Sequence, residues 1–167
     1  MVSTQQKKRI VLVHPRGFNW FPGKRDITDI ANRMVPQGLL SIAAYLIAQG
    51  HDVFVYDCLG LDAPLDLQKQ AEAILAYQPQ IVGFSATTSS FPDAADLAQR
   101  IKEQSPDTIT VCGGVHVSAL EGKLLQDYPA FDFLVTGEGE ITMSELTAGF
   151  DPAEIKGLIW QIGRAHV

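Results

Sequence analysis

A glycine pair followed by a histidine, Gly113-Gly114-Val115-His116, stands where a run of mostly β-branched residues from Thr108 to Val111 ends. Bare glycine backbone lets a flat ligand lie close to the chain, but the same pair also allows a tight turn with positive φ. A histidine at such a place is more often structural than a ligand or a base. The pair therefore marks a candidate binding surface, with a turn as the alternative explanation.

Glycine and glutamate alternate in a second segment, Gly137-Glu138-Gly139-Glu140, which again follows a run of strand-forming residues. The segment is not a dinucleotide fingerprint, because G-x-G-x-x-G would need a glycine where Thr142 stands and would normally follow the first strand. Its glutamates could serve only as first-turn acids that the helix dipole favours. What the segment offers a ligand is close approach to the backbone.

Hydroxyl side chains follow a third run of this kind, at Ser85, Thr87, Thr88 and Ser89. Such a row could hydrogen-bond the polar edge of a ligand. Serine and threonine also cap helices and stabilise turns, so the ordinary structural role stays open.

The connection between the first strand and the first helix is unusually long, from Pro15 to Pro36, and it carries Trp20, Phe21, Arg25 and Met34. Loops of this length inside compact domains are usually functional or disordered. A lid over a large, partly apolar ligand would explain these residues. A loop packed by its own aromatic side chains would explain them equally well.

The acidic balance of the chain argues against a nucleic-acid partner. The 167 residues carry a formal net charge of -6, and lysine and arginine are spread along the sequence without a basic run. Proteins that bind the phosphate backbone need clustered basic residues to release its counterions. We therefore expect no nucleic acid among the partners.

The cysteine count and the apolar pattern indicate a cytoplasmic protein. Cys58 and Cys112 are the only cysteines, and two distant cysteines form neither a disulfide framework nor a cysteine-only metal site. The N-terminal residues lack the apolar stretch of a signal peptide, and no apolar run reaches membrane-spanning length. We expect no membrane partner.

Five strand patterns alternate with five helix patterns, which predicts right-handed crossovers and a parallel sheet. The fold class expected is α/β, a flavodoxin-like (Rossmann-like) three-layer sandwich with five parallel strands. Ser90 and Asp93 have the spacing of a capping box at the start of the third helix. Residues 157–163 could form an extra edge strand or begin a linker. The predicted strands are Arg9–His14, Asp52–Asp57, Gln80–Ala86, Thr108–Gly113 and Asp132–Gly137.

Ligands of such sheets bind outside the carboxyl ends of the strands, where all of these loops lie. Taken together, the loops resemble the N-terminal cobalamin-binding domain of cobalamin-dependent radical S-adenosylmethionine enzymes. The segment 111–140 is similar to the family's Gly-Gly-x-His-x-Ser/Thr stretch, aspartate-led strand and Gly-Glu-Gly-Glu. The segment 35–57 is similar to its Pro-x-Gly-Leu helix entry and second strand.

The resemblance implies that residues 1–150 form a cobalamin-binding domain and that residues 151–167 are an edge strand or the start of a linker. A corrin ring is broad and flat, so the loops beneath it must be nearly free of side chains. The resemblance implies no catalytic residue in this chain. The cofactor-binding residues it implies are Pro36, Gln37, Ser85, Thr87, Thr88, Gly113, Gly114, His116, Ser118, Gly137, Glu138 and Gly139.

Two departures from related proteins shape the expected function. No aspartate is followed two residues later by a histidine, so the Asp-x-His-x-x-Gly motif that binds cobalt elsewhere is absent, and we expect base-off cobalamin with no protein metal ligand. The Cys-x-x-x-Cys-x-x-Cys motif is absent too. S-adenosylmethionine and the iron–sulfur cluster would therefore belong to a separate C-terminal radical domain of the same chain. The alternative is a free-standing flavodoxin-like ligand sensor or interaction domain without catalysis.

Overall fold

The computed structural model describes residues 6–18, 20–21, 25–26, 35–120 and 122–161. The strands within them are β1 (Arg9–His14), β2 (Trp20–Phe21), β3 (Arg25–Asp26), β4 (Asp52–Asp57), β5 (Ile81–Ser85), β6 (Ile109–Gly113), β7 (Phe133–Val135) and β8 (Leu158–Trp160). One sheet has the strand order β4-β1-β5-β6-β7-β8, and β2 pairs with β3 separately. The first five strands of the large sheet run parallel, and β8 is antiparallel to β7.

This order confirms the predicted α/β, flavodoxin-like fold, and β8 is the edge strand that the sequence left open. Each predicted strand begins and ends within two residues of the observed one. The largest difference is at the fifth predicted strand, which is β7 in the structure. It ends at Val135 because the backbone turns at Gly137, where φ is +72°. Among the described helices, none is long and apolar enough to cross a bilayer.

The strands of the sheet centre are apolar on both faces because both faces are covered. In β1, Ile10 and Leu12 belong to one buried cluster, while Val11 and Val13 belong to the other. Side chains of a strand alternate between the two faces, so a strand buried on both sides reads as a continuous apolar run. The run in "RIVLVH" thus reflects two separate half-cores.

The described helices divide between the two faces of the sheet. One half-core contains apolar residues of the first and last helices, and the other contains those of the four helices between them. These helices are α1 (Gln37–Ala48), α2 (Leu67–Leu75), α3 (Phe91–Gln104), α4 (Val115–Leu120), α5 (Lys123–Asp127) and α6 (Gly139–Ala148). The face covered by α1 and α6 is called the α1/α6 face below.

The predicted capping box at α3 is wrong. Ser90 is the N-cap residue, but its side chain makes no capping hydrogen bond with α3; instead its hydroxyl accepts a hydrogen bond from the backbone N–H of Thr87, 3.0 Å away. The carboxylate of Asp93 accepts from the backbone N–H of Gly17, 2.9 Å away. Asp93 therefore connects the loop that follows β1 to α3. This is a tertiary contact that the local spacing does not reveal.

Candidate functional site

The carboxyl ends of the central strands lie side by side at the point where the strand order reverses. The chain leaves β1 toward β4 on one side and returns to β5 on the other, so the crevice between β1 and β5 is the switch point of the sheet. In the register, His14 lies beside Asp57, and Ser85 lies beside Gly113. These residues form the edge against which a ligand would bind.

A cleft of about 200 Å³ opens near this edge, between α1 and α6 and over the sheet. Its inner wall is apolar: Leu12, Val111, Val135 and Met143 are each at least 95% buried. Polar side chains are confined to the outer part, where Ser85, Glu138 and Glu140 line it. The cleft is therefore an apolar slot with polar residues at its mouth.

Six of the twelve residues predicted for the site line this cleft: Ser85, Gly113, Gly114, Gly137, Glu138 and Gly139. They come from the carboxyl ends of three neighbouring strands and from the segments that follow them, and the fold brings them together. Two more, Pro36 and Gln37, come directly before cleft residue Gly38 at the start of α1.

Of the remaining four, Thr87 and Thr88 lie on the loop after β5, and His116 and Ser118 lie on helix α4. None of them lines the cleft. The ring of His116 packs on Phe91 with 4.4 Å between ring centroids, and its Nδ1 lies 3.2 Å from Thr88 Oγ1. Thr87 Oγ1 lies 3.1 Å from Ser90 Oγ, within the turn before α3. Ser118 Oγ accepts a long hydrogen bond, 3.4 Å, from the backbone N–H of Gly137. Only Ser118 is joined directly to a cleft residue.

The glycines of the cleft serve different purposes. Gly114 has a φ of +102°, and a Cβ placed on it would lie 2.5 Å from the carbonyl oxygen of Ala86. The turn therefore explains Gly114 without any ligand. In contrast, a Cβ on Gly38 or on Gly137 would meet no atom within 4 Å. These two glycines face open space, as a cradle for a ligand would require.

A histidine–carboxylate pair joins the ends of β1 and β4. His14 Nδ1 lies 3.1 Å from Asp57 Oδ1, and the same oxygen accepts from the backbone N–H of Leu59 at 3.0 Å. Because alternate residues of a strand share a face, His14 is on the same side of the sheet as Leu12. The pair thus lies beside the switch point, on the α1/α6 face, although His14 does not line the cleft.

Both cysteines are buried. Burial, with smaller contributions from nearby Asp57 and Asp93, raises the pKa of the Cys58 thiol to about 12. Burial also raises the pKa of Cys112. A thiol with a raised pKa is a poor nucleophile and a poor metal ligand. Across the described ranges, moreover, no three histidine, cysteine, aspartate or glutamate side chains are grouped to hold a metal ion.

Reasoning from the sequence missed the cleft residues contributed by helix packing and by the strand interior. Gly83 is the one with a readable signal, because a glycine inside a strand often marks close approach by a ligand or by another chain segment. Glu140 stood next to three predicted residues. The missed residues are Leu12, Gly38, Leu39, Ile42, Gly83, Phe84, Val111, Val135, Glu140 and Met143.

The long loop after β1 was predicted as a lid or as a self-packed loop. Its backbone contains the antiparallel pair β2–β3, in which Trp20 lies opposite Asp26. Met34 and the side chains of Trp20, Phe21 and Arg25 lie outside the described part of the chain, so the two alternatives stay predictions.

Comparison with known proteins gives relatives of much greater length. The chain is 34% identical over 152 residues to an uncharacterized methyltransferase of Pyrococcus horikoshii, covering 90% of this chain and 31% of that protein. It is 33% identical over 144 residues to the anaerobic magnesium-protoporphyrin IX monomethyl ester cyclase of Rubrivivax gelatinosus, covering 86% and 24%. It is 32% identical over 82 residues to the cobalamin-dependent radical SAM methyltransferase TokK of Streptomyces tokunonensis, covering 49% and 12%.

The chain thus spans less than a third of the length of each of these relatives. The model of the B12 binding domain family matches residues 23–147, which is most of the sequence and includes all the predicted cofactor-binding residues and all the cleft residues except Leu12. The fold, the cleft and this match agree, and the chain belongs to the B12-binding domain family.

Proposed function

We propose that this chain is the corrinoid-binding module of a longer radical S-adenosylmethionine enzyme. The observation that carries the proposal is the cleft with Gly38 and Gly137 at its mouth, both facing open space where a side chain would otherwise stand. The module would hold the corrinoid so that its cobalt faces a separate catalytic domain. When bound, the corrinoid would supply a redox-active, methyl-carrying cobalt to that domain.

The size of the cleft supports a divided binding mode. At about 200 Å³ it is smaller than the roughly 300–1,000 Å³ of pockets that enclose a drug-sized ligand. A whole corrinoid is larger still. The cleft would therefore take the nucleotide tail, while the ring would lie across the strand ends near Gly113 and Gly137. The hydroxyls of Ser85 and Thr88 would hydrogen-bond the amide groups of the ring or the tail.

A nucleotide tail that occupies the cleft cannot also coordinate the cobalt through its base. The binding mode proposed is therefore base-off. We further propose that no histidine of the chain takes the vacated position. His116 is held by Thr88 and Phe91, and neither His116 nor His14 lines the cleft. A cobalt without a strong lower ligand would be easier to reduce.

Binding is tested by mixing the purified chain with hydroxocobalamin and following the colour through gel filtration. We expect co-elution, and we expect Gly38→Phe to abolish it because the new side chain would start from a position whose Cβ meets no protein atom within 4 Å and would occupy the mouth of the cleft. The matched control is Ala44→Phe, which adds the same ring to an exposed position of α1. Loss of colour in the control, or retention in Gly38→Phe, would contradict the assignment of the cleft.

The lower face of the cobalt is tested by electron paramagnetic resonance of the Co(II) complex. We expect no nitrogen hyperfine splitting of the cobalt signal, since neither the tail base nor a histidine would be bound. A splitting that is lost in His14→Ala would show that the His14–Asp57 pair supplies an axial ligand. A splitting that persists in that variant and in His116→Ala would show that the tail base is still attached.

A further inference from the structure

The inner wall of the cleft has a chemical selectivity that goes beyond binding a corrinoid. We propose that it selects corrinoids whose lower base is a benzimidazole over those whose lower base is a purine. This inference rests on the proposed function, because it assumes that the nucleotide tail enters the cleft. It concerns which member of the ligand class the chain prefers.

The side chains that face the interior offer no hydrogen-bonding groups. Leu12, Val111 and Val135 contribute only hydrocarbon, and Met143 contributes a thioether, a weak acceptor. Gly83 in the middle of β5 contributes no side chain, and a Cβ placed there would lie 3.0 Å from the methyl carbon Cδ2 of Leu12. The floor is thus flat and apolar.

The backbone of the floor is also occupied. Leu12 pairs with Gly83 in the parallel ladder between β1 and β5, and Gly83 pairs with Val111 in the ladder between β5 and β6. Interior strands of a sheet use their N–H and C=O groups in such ladders. The floor therefore has no free donor or acceptor to satisfy a polar ring that is placed on it.

The polar residues of the mouth do not alter this conclusion for the interior. The carboxylate of Glu140 accepts a hydrogen bond from the hydroxyl of Ser41, which links α6 to α1. Glu138 is exposed to solvent, and its side chain makes no capping bond with α6. These groups remain at the surface, while the buried part of a ligand would contact carbon and sulfur.

Benzimidazole and adenine differ in the part of the ring that would be buried. The six-membered ring of a benzimidazole is all carbon, whereas that of adenine has two ring nitrogens and carries an amino group. Leaving a polar group without a partner in an apolar site weakens binding by roughly 5- to 150-fold. We expect the adeninyl cobamide to bind at least about tenfold more weakly than cobalamin.

The test measures dissociation constants of the chain by absorbance titration with cobalamin, the adeninyl cobamide and cobinamide, which lacks the lower base. Met143→Gln places an amide in the interior with little change of volume, and Met143→Leu is its matched apolar control. We expect the preference for cobalamin over the adeninyl cobamide to fall several-fold in Met143→Gln and to stay unchanged in Met143→Leu. Comparing this ratio between variants cancels the different strengths with which the two bases hold cobalt.

Each outcome separates this inference from the proposed function. Equal or tighter binding of the adeninyl cobamide by the unmodified chain would overturn the selectivity while leaving corrinoid binding intact. Cobinamide bound as tightly as cobalamin would show that the base does not occupy the cleft. Failure of all three to bind would overturn the proposed function as well. Should Met143→Gln fail to fold, the comparison of the three ligands on the unmodified chain still decides.

Discussion

Three glycines of the cleft should respond to alanine in a graded series, because the structure places them under different constraints. Gly38 lies in the first turn of α1 with neither positive φ nor a neighbour within 4 Å. Gly137 has a φ of +72° but no neighbour. Gly114 combines a φ of +102° with close approach to the backbone of Ala86.

The expected change in the free energy of unfolding follows from the constraint on each glycine. Gly38→Ala should raise the free energy of unfolding by up to about 1 kcal/mol, the gain of alanine over glycine in a helix. Gly137→Ala should lower it by about 1–2 kcal/mol, the cost of a side chain in left-handed backbone. Gly114→Ala should bear that cost and a further ~1–3 kcal/mol, because its Cβ would lie 2.5 Å from the Ala86 oxygen.

The assay is urea unfolding followed by far-ultraviolet circular dichroism, with thermal melting in parallel. For a protein of this size, a loss of about 2–5 kcal/mol at Gly114 corresponds to a melting temperature lower by roughly 4–20 °C. We expect the order Gly38→Ala, unmodified chain, Gly137→Ala, Gly114→Ala, from most to least stable. If Gly114→Ala were as stable as Gly137→Ala, the contact with Ala86 would carry no cost. Stability equal to the unmodified chain would refute the turn as the reason for this glycine.

Three further predictions concern groups away from the cleft. Burial, and secondarily Lys8, lowers the pKa of His51 below its ordinary value of 6.5, so the unfolded chain binds the proton more readily. The free energy of unfolding should therefore fall as the pH drops through 6.5, and His51→Gln should flatten that slope; an unchanged slope would contradict it. Asp132→Ala should cost about 3–5 kcal/mol in urea unfolding, because its buried carboxylate lies 2.6 Å from Lys102 Nζ; a loss under 1 kcal/mol would refute a structural role. Cys58 should resist a disulfide-exchange reagent at about pH 8 until the chain is unfolded, since its thiol has a pKa of about 12; rapid labelling of the folded chain would contradict its burial.

The fold was predictable because the signals that determine it are local. The run of Ile10 to Val13 shows a strand covered on both faces, and Gly149 marks the end of α6, where its φ is +79°. The regular alternation of such runs with helix patterns leaves few topologies for a parallel sheet. The order of the strands followed from that alternation.

The site was predictable only where its residues share a loop. The segments around Gly113 and Gly137 can be recognised from their local sequence patterns, and both line the cleft. The inner wall depends on how α1 packs against α6, which brings Ile42 next to Gly139 across almost a hundred residues. No local sequence pattern predicts a contact between residues that are so far apart in the chain. The pairing of His14 with Asp57 is hidden for the same reason, since it depends on the register of β1 with β4.

The cleft lies in the smaller of the two half-cores. Buried residues in the cluster beneath α2 to α5 number 21, against 13 in the cluster of the α1/α6 face, counted over the described residues. A ligand that fills the cleft would complete the smaller layer and would add RT ln(1 + [L]/Kd) to the free energy required for any opening that releases it. Amide hydrogens of α1 and α6 should therefore exchange with solvent more slowly once the cofactor is loaded, while those of α3 change little. A chain awaiting its cofactor would open first on that side, where a protease could distinguish the empty module from the loaded one.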